Sequence, residues 1–284
     1  NAMKRAPFFQ VLQESSQRAG SLLCVGLDPQ LEGIPAADVL PRNKAVIDAT
    51  FPFACLYKPN AAFYEARGRE GMEALAAPIA YAHGTGVPVL LDAKRGDIAS
   101  TAAAYAKAVF EVMDADAVTL SPLLGADSLE PCAAYADRGR FLLCHPSNPG
   151  ARDLQELDAG GMPFYERIAL AARGWNTRGN IGLVIGATYP AVLAEVRAIA
   201  PDAWFLLPGV GSQGGDLEAS VSAGLDARAG GVIVNVSRAV AGAADPGKAA
   251  RELRDSIEAV RAARRTGQAR PGGTPADPVV ERIA

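Results

Sequence analysis

Eight short runs rich in Val, Ile, Leu and Phe punctuate the chain, at 22–27, 53–57, 87–91, 117–120, 140–144, 181–185, 204–207 and 231–236. They are continuous rather than alternating, as suits strands buried on both faces of a parallel sheet. Helices are predicted between and after them, over 71–83, 97–113, 127–137, 163–175, 191–200, 216–223 and 246–264. Asp216, and either Asp127 or Ser128, are the natural N-caps. Eight strand–helix units in 284 residues predict a single α/β domain, a (β/α)8 TIM barrel of the usual size of about 250 residues. A doubly wound sheet would usually have fewer strands and a glycine-rich first turn. The first turn here is Gly26-Leu27-Asp28-Pro29, which is not GxGxxG.

Composition narrows the function. Apolar residues make up 49% of the chain, enough for a large core. A net charge of −3 gives no electrostatic reason to expect nucleic acid or an anionic membrane as partner. An anionic substrate would need a local basic pocket. Residues 4–20 carry charges and read as an amphipathic helix rather than a signal peptide, and no apolar run approaches the roughly 20 residues that span a bilayer. The expected location is cytoplasmic. Cys24, Cys55, Cys132 and Cys144 lack metal-ligand spacing and read as buried, reduced thiols. His83 and His145 lie too far apart to suggest a zinc site or a Ser-His-Asp triad, so no metal is expected.

Asn1 and Ala2 precede Met3 as the remnant of a cleaved tag would. The barrel domain is placed at 3–266. The stretch 267–284, with Pro271-Gly272-Gly273-Thr274-Pro275, reads as a flexible extension. The connection 146–162 is long enough to be a lid or a binding loop.

Residues at the C-terminal ends of barrel strands point into the active site. In order, these are Asp28; Lys58; Asp92 with Lys94 and Asp97; Ser147; the run Pro208-Gly209-Val210-Gly211-Ser212-Gln213-Gly214-Gly215; and Ser237-Arg238. Lys58, Asp92, Lys94 and Asp97 would form one network of alternating sign facing one cavity. Asp92 and Lys94 would share a face because they are two apart in an extended strand. Such a network keeps each lysine protonated and each aspartate ionised. The glycine run, a helix N-terminus and Arg238 would together bind a phosphate. Cys144 and His145 read as a strand end and a loop, not a dyad.

Leu91-Asp92-Ala93-Lys94-Arg95-Gly96-Asp97-Ile98, followed by Ser100-Thr101, resembles the Asp-x-Lys-x-x-Asp-Ile-x-x-Thr motif of orotidine 5′-phosphate decarboxylases. With Ser147-Asn148-Pro149-Gly150-Ala151, it is similar to the longer bacterial branch. The resemblance runs from about Val25 to about Ala241. It implies cofactor-free conversion of orotidine 5′-monophosphate to UMP, in a homodimer with shared sites. It also implies roles. Asp28 binds ribose hydroxyls, and Lys58 contacts the ribose and holds Asp92. Asp92 sits by the substrate carboxylate, and Lys94 protonates C6. Asp97 and Thr101 cross into the partner's site. Ser147 contacts the ring and Gln213 bridges base and phosphate. Arg238, next to Ser237, holds the phosphate. The sequence departs from the branch at Ser121, where Asn is frequent. It departs again at His145-Pro146, where a basic or hydroxyl residue and then Thr are usual. Superfamily relatives that act on sugar phosphates, such as hexulose phosphate synthases, keep the motif. They use Mg²⁺, however, with an acidic residue where Lys58 stands. A Schiff-base aldolase would need a lysine of lowered pKa, which flanking aspartates oppose. A phosphate sensor on a dead barrel would have no use for the full charge set.

Overall fold

The computed structural model describes residues 5–30, 34–210 and 216–267. All eight expected strands form: β1 (Leu23–Gly26), β2 (Leu56–Lys58), β3 (Leu90–Arg95), β4 (Ala117–Leu120), β5 (Gly139–His145), β6 (Ile181–Ile185), β7 (Phe205–Leu207) and β8 (Val232–Val236). They pair in parallel in the order β2-β1-β8-β7-β6-β5-β4-β3. Bridges Tyr57–Val89 and Asn60–Asp92 join β2 to β3 and close the ring.

Helix α1 (Phe8–Ala19) precedes the barrel, and α2 (Ala36–Thr50) joins β1 to β2. After β2 come the short α3 (Ala61–Glu65) and then α4 (Gly68–Gly84). Next are α5 (Ala99–Lys107), α6 (Ala126–Ala133), α7 (Phe164–Trp175), α8 (Pro190–Ile199) and α9 (Leu217–Gly224). The four-residue α10 (Arg238–Ala241) and α11 (Pro246–Arg265) follow β8.

Three expectations need correction. No helix was predicted between the first two strands, yet α2 forms there with Pro41 inside it, and its buried Val39, Val46 and Ile47 hold it to the core. The predicted helix 97–113 starts only at Ala99, and its last turn is π-helical over Ala108–Val112. Neither Asp127 nor Ser128 caps α6. Gly125 takes that place, and the Ser128 hydroxyl donates to its carbonyl. Asp216 does cap α9, accepting from the Ala219 N–H.

Helix α1 seals the N-terminal end of the barrel. Phe8 and Phe9 pack edge-on against Phe141, with ring centroids 6.1 and 5.6 Å away, and Phe9 stacks on Trp204. These aromatic contacts close the floor with apolar surface. Any site must therefore open at the opposite mouth. The connection 146–162 is folded. It contains a 3-10 turn over Pro149–Asp153, and Arg167 donates to the carbonyls of Ala159 and Gly160. Among the described residues no helix is long and apolar enough to cross a membrane. The four cysteines are free and buried. Burial pushes the Cys55 thiol up to about 12 and Cys132 to about 11, which makes poor nucleophiles of both.

Candidate active site

A cavity of about 480 Å³ opens at the C-terminal mouth, a volume suited to a small-molecule ligand. Asp28, Lys58, Asp92, Lys94, Ser147, Ser237 and Arg238 all line it. Its centre is Asp92, within β3 and 8% exposed. Lys58 Nζ donates to Asp92 Oδ2 at 2.8 Å and Lys94 Nζ to Asp92 Oδ1 at 2.6 Å. Burial alone would raise the Asp92 pKa, but the two ammonium groups outweigh it and hold the carboxyl well below its usual range. Burial would likewise lower the Lys58 pKa, but Asp92 and then Asp28 hold it above its usual value.

Lys94 reaches Asp92 by a route that alternation does not describe. Leu91 pairs with Val118, yet Arg95 pairs with Leu120, so β3 advances four residues while β4 advances two. Lys94 sits inside this bulge in the left-handed region, at φ 47°. The pin for the bulge is Thr119 on β4, which the sequence reading missed. Its hydroxyl accepts from the backbone N–H of Ala93 and of Lys94, at 3.0 and 2.9 Å, and donates to Asp92 Oδ1 at 2.9 Å. A Thr119→Val variant strands two backbone donors. It is expected to lose about 2–4 kcal/mol of stability by chemical denaturation and to lower kcat, with Thr119→Ser restoring both.

Asp28 accepts from the Asn60 N–H at 3.0 Å, while the Asn60 amide lies 3.5 Å from Asp92. Asn60, also missed, thus ties two carboxylates to the end of β2. Two glycines give the loops their close approach. A Cβ on Gly26 would meet the Ser237 hydroxyl at 1.9 Å, and one on Gly186 would meet Ser147 Cα at 2.5 Å.

Residues 21–253 match the sequence profile of the "Orotidine 5'-phosphate decarboxylase / HUMPS family". The orotidine 5′-phosphate decarboxylase of Roseiflexus castenholzii is 51% identical, over 89% of this chain and 97% of that protein. The chain belongs to this family. Among solved structures, Leishmania donovani OMP decarboxylase superposes with a TM-score of 0.84 at 50% identity, over 90% of this chain and 98% of that one. Leishmania donovani UMP synthase gives a TM-score of 0.87 at 51% identity. The matched region covers 90% of this chain but only 57% of that protein.

Against the family motif, the structure brings together Lys58, Asp92 and Lys94 but not Asp97. Asp97 does not face the main cavity. It lies beside a separate cleft with Tyr105 and Ser128, its carboxylate accepting from the Ile98 N–H. Thr101 is exposed on α5. Gln213, with the rest of Gly211–Gly215, lies outside the described residues, while Pro208, Gly209 and Val210 line the cavity. The helix start expected to face the anion after β7 is already capped by Asp216; the turn that reaches the cavity is that of Ser237, Arg238 and Ala239. Ser121 does not line the cavity, and its N–H donates to the Arg95 carbonyl. His145 is fully buried at the end of β5, packed against Tyr165 and Tyr189, and Pro146 lines the cavity. Among the described residues no cluster of three or more His, Cys, Asp or Glu side chains could hold a metal ion.

The depressed Asp92 pKa gives the protein a defined acid limb. Its contribution to stability is complete above about pH 4, the unfolded value, and is lost as pH falls through the lower folded value. Lys58 contributes fully below about pH 10 and loses its part as pH rises through its higher folded value. Asp92→Asn is therefore expected to lose about 3–5 kcal/mol at pH 7, because it leaves buried Lys58 unpaired. The gap from wild type should narrow below about pH 4 in urea titrations. A constant gap down to pH 2 would contradict the pairing.

Proposed function

We propose that the chain decarboxylates orotidine 5′-monophosphate to UMP, the activity that its named relatives carry. The observation that supports this best is one carboxylate clamped between two ammonium groups at a cavity that also holds an arginine. Loss of CO₂ from C6 leaves a carbanion with no conventional electron sink. Lys94 is placed to stabilise that charge and then to protonate the carbon. Asp92 lies beside the departing carboxylate and fixes the lysine. Lys58 and Asp28 hold the ribose, Ser147 the ring, Gln213 the base and phosphate, and Ser237 and Arg238 the phosphate.

The deciding experiment is the fall in orotidine 5′-monophosphate absorbance with purified protein and EDTA. Steady turnover to UMP is expected. No turnover, or turnover only after Mg²⁺ is added, would favour the sugar-phosphate chemistry of superfamily relatives.

The reading includes a homodimer, with Asp97 and Thr101 contributing to the partner's site. Exposed Ile98, Leu123 and Leu124, after β3 and β4, give that rim the apolar character of an interface. An enzyme that sediments as a monomer at full activity would remove this part. A cytoplasmic enzyme that binds neither nucleic acid nor membrane, with one catalytic domain at 3–266 and an appended 267–284, completes the reading. Residues 268–284 of that extension lie outside the described residues.

A further inference from the structure

Away from the catalytic mouth, a second cavity of about 250 Å³ lies between α6 and the end of α7. Arg140, Arg178, Glu130, Trp175 and Thr177 are among its lining residues. Arg140, near the start of β5, is 3% exposed. Its Nη2 donates to Asn180 Oδ1 at 2.6 Å, and its buried Nε has no partner. Asn180 is neutral and is itself committed, its amide donating to the Arg138 carbonyl. Arg178 donates to the Ala133 carbonyl. Among the described residues neither arginine has a carboxylate within ion-pair distance, although Glu130 shares the cavity. Burial lowers the Arg140 pKa, with Cys132 opposing it, the nearby Arg178 charge adding to it and Glu130 opposing it more weakly.

A buried guanidinium is tolerated when an anion neutralises it and takes up its donors. Two guanidinium groups beside one small cavity repel each other until an anion lies between them, and their planar forks suit the oxygens of a phosphate. We propose that this cavity is a second anion site, one that takes an oxyanion of the phosphate class between Arg140 and Arg178. Bound there, the anion ties β5 to the turn before β6.

The test is thermal unfolding of the full chain while phosphate replaces chloride at constant ionic strength. Saturating UMP occupies the catalytic cavity, and a parallel titration uses Arg238→Ala. The midpoint is expected to rise with phosphate in both, and to stay flat when acetate replaces phosphate. Arg178→Gln, an exposed position, is expected to weaken apparent phosphate affinity about tenfold or more while leaving kcat/KM unchanged. Arg140→Met should abolish the rise of the midpoint with phosphate; because it also strands buried Asn180 Oδ1, the readout is that rise and not the midpoint in chloride. If Arg140→Met fails to fold, the Arg178→Gln titration decides. Glu130→Gln should tighten phosphate binding by removing a like charge. The proposal fails if wild type shows no rise, if acetate reproduces it, or if it survives Arg178→Gln. It also fails if Glu130→Gln is destabilised in chloride, because Glu130 would then be the counter-ion.

Discussion

Lys94→Ala is expected to lower kcat by at least about 10⁴-fold while UMP still binds. In the proposed mechanism this side chain both offsets the charge developing at C6 and delivers the proton, and Lys58 is already engaged elsewhere. Lys58 is 3% exposed and committed to Asp92 Oδ2, whereas Lys94 reaches Asp92 from the open side of the cavity. Removing Lys94 leaves Asp92 with Lys58 and Thr119 as partners, so the fold should survive. Single-turnover measurement against UMP binding separates the two outcomes. A variant that retains a tenth of wild-type kcat would end the proton-donor assignment.

Arg238→Ala is expected to cut kcat/KM by about 10²-fold, chiefly through KM, because two charge-assisted hydrogen bonds of about 1.5 kcal/mol each are lost. The Arg238 side chain makes no hydrogen bond or ion pair among the described residues, so its truncation should leave the melting temperature unmoved. That combination distinguishes a substrate contact from a structural arginine. An unchanged KM would move the phosphate elsewhere.

Most of this was legible in the sequence, and the parts that were not have physical causes. Strand count and order could be read because buried parallel strands carry continuous apolar runs. The pairing of Asp92 with Lys94 could be read, but its cause could not: a bulge depends on pairing with the neighbouring strand, and nothing local marks Lys94 for a left-handed backbone. Thr119 was hidden because a threonine within Ala117–Leu120 looks like any β-branched strand residue; only the register of β3 against β4 brings its hydroxyl to the bulge. Helix α2 was missed, and it forms despite Pro41, whose local penalty is outweighed by tertiary burial of Val39, Val46 and Ile47. Asp97 follows the motif, yet its place beside another cleft depends on the bend before α5, which spacing alone does not give.

The aromatic seal under the barrel has a consequence for traffic. With Phe8, Phe9 and Trp204 stopping one end, the reaction chamber is a blind well. Nucleotide enters, and gas and nucleotide leave, past the same rim.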